Sequence, residues 1–107
     1  MTNTGTALVI GGGIAGPVAA MALQEAGIQA TVYEAHHTTA DGVGGGLSIA
    51  ANGQNALGVV GADEVVRRIG TPTTAMVIQS WTGKQLGEFG GLTGLPVTQF
   101  VWRADLH

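Results

Sequence analysis

Six residues, Gly11-Gly12-Gly13-Ile14-Ala15-Gly16, constrain this chain more than any other stretch. They stand between a short apolar run, Thr6-Ala7-Leu8-Val9-Ile10, and a segment from Ile14 to Ala26 with helical periodicity. Along one side of that helix fall Ile14, Val18, Met21 or Ala22, and Glu25. An apolar run halted by glycines reads as a strand buried on both faces of a parallel sheet. Pro17 sits in the first helical turn, where its missing N–H costs little, and Gly27 is placed to stop the helix. Gln29 to Glu34, rich in β-formers, reads as the next strand. Strand, glycine turn, helix, glycine, strand is a βαβ unit, right-handed by default.

The glycine spacing is G-x-G-x-x-G, and its context is the one such a motif needs: a strand before, a helix after, and an acid, Glu34, 18 residues beyond Gly16. Gly11 makes the tight turn, Gly13 lets backbone approach a pyrophosphate, and Gly16 lets the helix pack on the strand. Gly12 holds the variable second position, where a side chain should be tolerated better than at Gly13. Glu34 would accept hydrogen bonds from adenosine ribose hydroxyls and repel a 2′-phosphate. Residues 1–66 contain no Lys or Arg, so an anion bound by this half must be held by backbone amides and the helix N-terminus. The rival reading is a glycine turn that binds nothing.

The remaining chain is less explicit. Ala35 to Gly46 reads as a loop, Leu47 to Ala50 as a short strand, and Asn52 as the cap of a helix running to Val60. A helical stretch from Asp63 to Ile69 follows Gly61. Ala75 to Trp81, a Thr82-Gly83 turn and Gln85 to Phe89 form a hairpin pattern. After a loop from Gly90 to Pro96, Val97 to Trp102 is a last strand, with Arg103 at its end as an anion-seeking guanidinium. Trp81, Phe89, Phe100 and Trp102 lie at strand positions, which favours sheet packing over substrate stacking.

Several function classes fall away. A net charge of −3 with four basic residues excludes a nucleic-acid-binding surface. The absence of cysteine removes disulfides, thiolate metal sites and thiol nucleophiles. His36, His37 and Asp41 lack the i, i+4 spacing of a helical metal site, so no metal is expected. Residues 5–24 are uncharged, but their glycines and Pro17 argue against a spanning helix, and no basic residue precedes them as a signal peptide needs. The chain reads as cytoplasmic.

The fingerprint does not separate FAD from NAD. Gly11 to Pro17, however, resembles the opening of the FAD-dependent monooxygenases of the aromatic-hydroxylase group, which read GGGIAGP or GAGPAG. Tyr33-Glu34 is similar to the family's strand-end YE pair, and Gly44 to Gly53 to its GAGLSLAPNG segment. Asn55-Ala56-Leu57 with the Gly61 region resembles its ALxxLG helix, and Gly83 to Phe89 its GxxLxxF hairpin. Trp102 to His107 is similar to its HRADL segment. The ordered set runs nearly the whole length of the chain.

The resemblance implies a Rossmann-like α/β FAD-binding domain over residues 1–107, with a parallel sheet plus a β-hairpin. It implies that Gly11, Gly13, Ile14, Ala15 and Gly16 hold the FAD pyrophosphate, that Glu34 holds the adenosine ribose, and that Gly45 and Arg103 contact the cofactor. It further implies reduction of the flavin by NAD(P)H and hydroxylation of a small aromatic or polyketide-like substrate. No residue stands out as a catalytic acid or base. Ala35 replaces the basic residue that usually follows the strand-end Glu. The family's later flavin-binding GD segment and substrate sheet have no counterpart here, so the chain reads as a truncated portion of a longer enzyme. The alternatives are a non-catalytic dinucleotide-binding module, or another FAD enzyme of the same superfold such as a halogenase or reductase.

Overall fold

A computed structural model of the chain describes residues 5–38 and 44–107. The first unit is β1 (Thr6–Ile10), α1 (Ala15–Glu25) and β2 (Gln29–Tyr33). β1 and β2 are parallel, in register from Thr6 opposite Gln29 to Ile10 opposite Tyr33. The expected βαβ unit is present. Helix α1 ends as its sequence requires: Gly27 takes φ +80°, its N–H donates to Gln24 O at 2.9 Å, and Ile28 N–H donates to Leu23 O at 2.9 Å. This paired arrangement satisfies carbonyls that the last helical turn would otherwise leave open.

The second unit comprises β3 (Gly46–Ile49), α2 (Ala51–Val59), α3 (Asp63–Ile69), β4 (Thr71–Thr73), β7 (Thr98–Trp102) and the short α4 (Arg103–Leu106). Between β4 and β7 the chain runs out into an antiparallel hairpin of β5 (Ala75–Gln79) and β6 (Gln85–Gly90). β7 is central, antiparallel to β3 on one side and to β4 on the other. The short β4 escapes the sequence reading because it contains Pro72, and proline is tolerated only on an edge strand such as this one. Helix α2 closes on Gly61 (φ +73°) just as α1 closes on Gly27. α3 carries Asp63 and Glu64 in its first turn and Arg67 and Arg68 in its last, complementing the helix dipole.

The core lies in this second unit. Ile49, Val66 and Val101 are buried together, with Leu47, Leu57, Ile69 and Leu106 against them. Gln54 is 1% exposed and ties the layer together: its Nε2 donates to Ile49 O at 3.0 Å and to Val97 O at 2.6 Å.

Three expectations are corrected. β1 is not buried on both faces: Leu8 is 67% and Ile10 82% exposed, because α1 covers one face and β2 is the only strand paired to it among the described residues. Asn52 does not cap α2; Ala50 is the N-cap, with its carbonyl accepting from Gln54 N at 3.0 Å, and no side chain caps the helix. Trp81 is 97% exposed at the hairpin turn instead of packing in a strand. Phe100 and Trp102 do pack, edge to face with ring centroids 5.3 Å apart.

The exposed apolar strands have a global signature. The accessible surface is 7648 Å², against about 5,500 Å² for a compact protein of this mass. The radius of gyration is 17.5 Å, against about 13 Å for a compact domain of this length.

Gln54→Leu should lower stability by about 1–3 kcal/mol, because the buried carbonyl of Ile49 and the part-buried carbonyl of Val97 lose their donor. Urea denaturation followed by circular dichroism measures this; an unchanged midpoint would mean the amide is not the tie between α2 and the strands.

Candidate functional site

The site is built where β1 ends. Gly11 takes φ +106°, and its N–H donates to Tyr33 O at 2.7 Å, so the parallel ladder continues one residue into the turn. The chain then folds back so closely that a Cβ on Gly16 would collide with Gly11 O and touch Val9. Only glycine at both places allows α1 to begin directly above the strand end. Ile14 is the N-cap of α1, and no side chain caps the helix or places an acid in its first turn. The N-terminal amides are left facing the turn without a side-chain acceptor, a disposition that favours an anion.

Glu34 reaches back across this turn. Its Oε2 accepts from Gly12 N–H at 2.7 Å, and its Oε1 accepts from His36 N–H and approaches His36 Nδ1, both at 3.0 Å. These donors hold its carboxyl down from the ordinary 4.5 to about 2, the His36 backbone amide first, then the His36 ring, then the Gly12 amide. The carboxylate is ionised at any physiological pH. A Cβ on Gly12 would stand 3.1 Å from Glu34 Cβ, so this position is tighter than its place in the fingerprint suggests.

The cation comes from the other end of the chain. β7 delivers Arg103, whose N–H donates to Gly45 O at 3.0 Å. The backbone at Gly44 (φ +83°) crosses so near that a Cβ there would lie 2.9 Å from Arg103 Cδ. Thus guided, Nη2 lies 3.9 Å from where a Cβ on Gly13 would stand. Nη1 is buried and has no hydrogen-bond partner among the described residues. The expectation that backbone amides alone would face an anion is therefore incomplete: the turn has no cation of its own, and tertiary structure supplies one.

Gly11 to Gly16, Glu34, Gly45 and Arg103 are thus brought together around one turn. Gly45 contributes its carbonyl to Arg103, and Ile14 faces an adjacent apolar cleft of about 390 Å³ between α1 and the second unit. Ala15 is exposed at the start of α1. His36 joins the site through Glu34, whereas Asp41 lies outside the described residues. No group of three metal-ligating side chains occurs among the described residues. Nor is any helix there long and apolar enough to cross a membrane. Sequence reading missed Gly12, Gly44 and His107. His107 Nε2 lies 2.6 Å from Gly12 O, a contact spanning 95 residues for which the linear sequence carries no signal.

The chain is similar to known proteins over most of its length. The NAD(P)-binding Rossmann-like domain family matches residues 9–52. The chain is 41% identical to 3-amino-4-hydroxybenzoate 2-monooxygenase PtmB3 of Streptomyces platensis, over 92% of this chain and 26% of that protein. It is 33% identical to the FAD-dependent urate hydroxylase of Klebsiella pneumoniae, over 78% of this chain and 22% of that protein. The structure of Klebsiella pneumoniae HpxO complexed with FAD and uric acid superposes with a TM-score of 0.80 at 26% identity, covering 99% of this chain and 28% of that one. The chain spans about a quarter of the length of the curated relatives it matches.

Because Glu34 titrates at a depressed value, its contribution to the turn is fully present above about 4.5 and is lost as pH falls toward about 2. The Gly12 amide resonance should therefore titrate with a midpoint near 2; a midpoint near 4.5 would detach Glu34 from the turn.

Proposed function

We propose that these residues form the cofactor-holding portion of an FAD-dependent, NAD(P)H-consuming monooxygenase that hydroxylates a small aromatic or polyketide-like substrate in the cytoplasm. The observation that carries this reading is the guanidinium of Arg103 beside a glycine turn whose helix N-terminus has no side-chain cap: Nη2 lies 3.9 Å from the place of a Cβ on Gly13, and the buried Nη1 has no partner among the described residues. A buried guanidinium nitrogen without an acceptor is costly, and a pyrophosphate oxygen is the acceptor that this fork geometry suits. The sequence relatives, monooxygenases and hydroxylases over the aligned region, support FAD as the group that provides it.

The residues fit such a group. With Gly11 making the turn, its own N–H held by Tyr33 O, the backbone at Gly13, Ile14, Ala15 and Gly16 would present amides to the pyrophosphate. Open space at Gly13 allows close approach, since among the described residues only Arg103 comes within 4 Å of a Cβ built there. Glu34, ionised and half-exposed, would exchange the His36 ring for ribose hydroxyls while keeping its bond to Gly12. The same negative charge repels a 2′-phosphate, so FAD and other dinucleotides without one are preferred. Gly45 steadies Arg103 by accepting its amide hydrogen. When bound, the flavin supplies the electron transfer and oxygen activation that no side chain in this chain supplies.

Fluorescence titration with FAD tests the assignment. Arg103→Gln and Glu34→Ala should each weaken binding roughly tenfold, through the loss of a charge-assisted hydrogen bond. ADP should compete with FAD, and adenosine 2′,5′-bisphosphate should compete poorly. Failure of the wild-type protein to bind FAD or ADP would remove the dinucleotide reading.

In the same assay Gly13→Val should abolish binding, because its side chain would fill the approach path beside Arg103. Gly12→Ala should weaken it measurably as well, since the added methyl presses on Glu34 at 3.1 Å. Full tolerance at Gly12 would show that Glu34 need not reach the turn.

A further inference from the structure

Gly12 is held at both of its polar ends. Its N–H donates to Glu34 Oε2 at 2.7 Å, and its carbonyl oxygen lies 2.6 Å from His107 Nε2. A carbonyl oxygen only accepts, so Nε2 carries the hydrogen, in the neutral ring or the imidazolium alike. α4 positions the ring: the turn that begins at Arg103 ends with His107 N–H donating to Arg103 O at 3.0 Å. One helical turn therefore sends two side chains to the same glycine loop, a guanidinium beside Gly13 and an imidazole to Gly12 O.

The carbonyl of Gly12 and the N–H of Gly13 belong to one peptide group, and no peptide bond here is cis. In a planar trans peptide the C=O and N–H point in opposite directions. Fixing the Gly12 oxygen against His107 therefore fixes the Gly13 N–H on the far side of the plane. A donor on the carbonyl also polarises the peptide and strengthens its N–H as a donor, on the order of 10–30% per bond in a hydrogen-bonded chain. Without His107, a peptide flanked by glycines has many alternative orientations to lose on binding.

We propose that His107 is a positioning residue for the pyrophosphate, acting through the Gly12–Gly13 peptide without touching the ligand. The inference rests on the dinucleotide reading above and adds to it a residue at which the glycine fingerprint gives no hint. It also accounts for Gly12, at the variable position of that fingerprint, being anchored to side chains through both its amide and its carbonyl.

The test compares His107→Gln, whose side-chain amide reaches to the place of Nε2, with His107→Phe and His107→Ala, which lack the donor. Binding of ADP and of adenosine is measured by calorimetry, and the Gly13 amide is followed by 15N–1H spectroscopy in the ligand-free protein. H107F and H107A should weaken ADP roughly tenfold, about one hydrogen bond, and shift the Gly13 amide, with adenosine binding unchanged. H107Q should stay within about twofold of wild type for ADP. ADP binding that H107F and H107A leave unchanged overturns the role of His107 alone, as does an H107Q loss equal to theirs. A wild-type protein that binds no ADP overturns the dinucleotide reading beneath it.

Discussion

The structure depends on one close approach, that of Gly16 to the carbonyl of Gly11. A single Cβ at position 16 would occupy the space of that oxygen, and any side chain at position 11 would be strained at φ +106°. Because both are glycine, α1 starts within one turn of the end of β1. The amides of its first turn then face the gap where Glu34 leaves β2. Separating the helix from the strand by a longer loop would leave the same residues in the chain but scatter their donors.

That turn is electrically incomplete until the second unit arrives. The first 66 residues hold no Lys or Arg, and Glu34 adds a negative charge beside the place an anion would occupy. Arg103 restores the balance, and the fold has several means of directing it. β7 is flanked by β3 and β4: β4 pairs with its first residues, Thr98 to Phe100, and β3 carries the pairing on to Trp102, next to Arg103. The backbone at Gly44 lies on the arginine stem, Gly45 binds its amide, and a Cβ on Gly46 would collide with the ring of Phe100. Three consecutive glycines thus form a path for one side chain and one aromatic ring. The buried core of Ile49, Val66 and Val101, with Leu106 packed against it, includes side chains of β7 and α4 on either side of Arg103, so packing of the second unit also places the cation.

His36 and His107 show two ways in which a histidine serves a loop. His36 lies two residues from the acid it supports, and the contact follows from local chain geometry. His107 acts across 95 residues and depends on every element between. The apolar cleft between α1 and the second unit marks the seam along which that long-range contact is made, with His107 at its rim.

The sequence alone determined whatever is decided within about a turn of helix or hairpin. The βαβ unit, the glycine stop at Gly27, the α3 helix and the β5–β6 hairpin were all legible, because positive φ, helical periodicity and turn chemistry are local steric matters. Glu34 was legible as the acid facing the glycine turn for the same reason, standing at the end of a recognisable strand. Tertiary structure decided which side chains meet and which are left open. Gln54 is buried only because the segment ending at Val97 returns to it from 43 residues away, and β4 forms only because β7 offers an edge that tolerates Pro72. Leu8 and Ile10 look like core in the sequence, yet remain exposed, since burial depends on what packs over a strand and not on the strand itself. The arrival of Arg103 and His107 at one glycine turn belongs to the same class: the residues are written in the chain, but their meeting is set by sheet order.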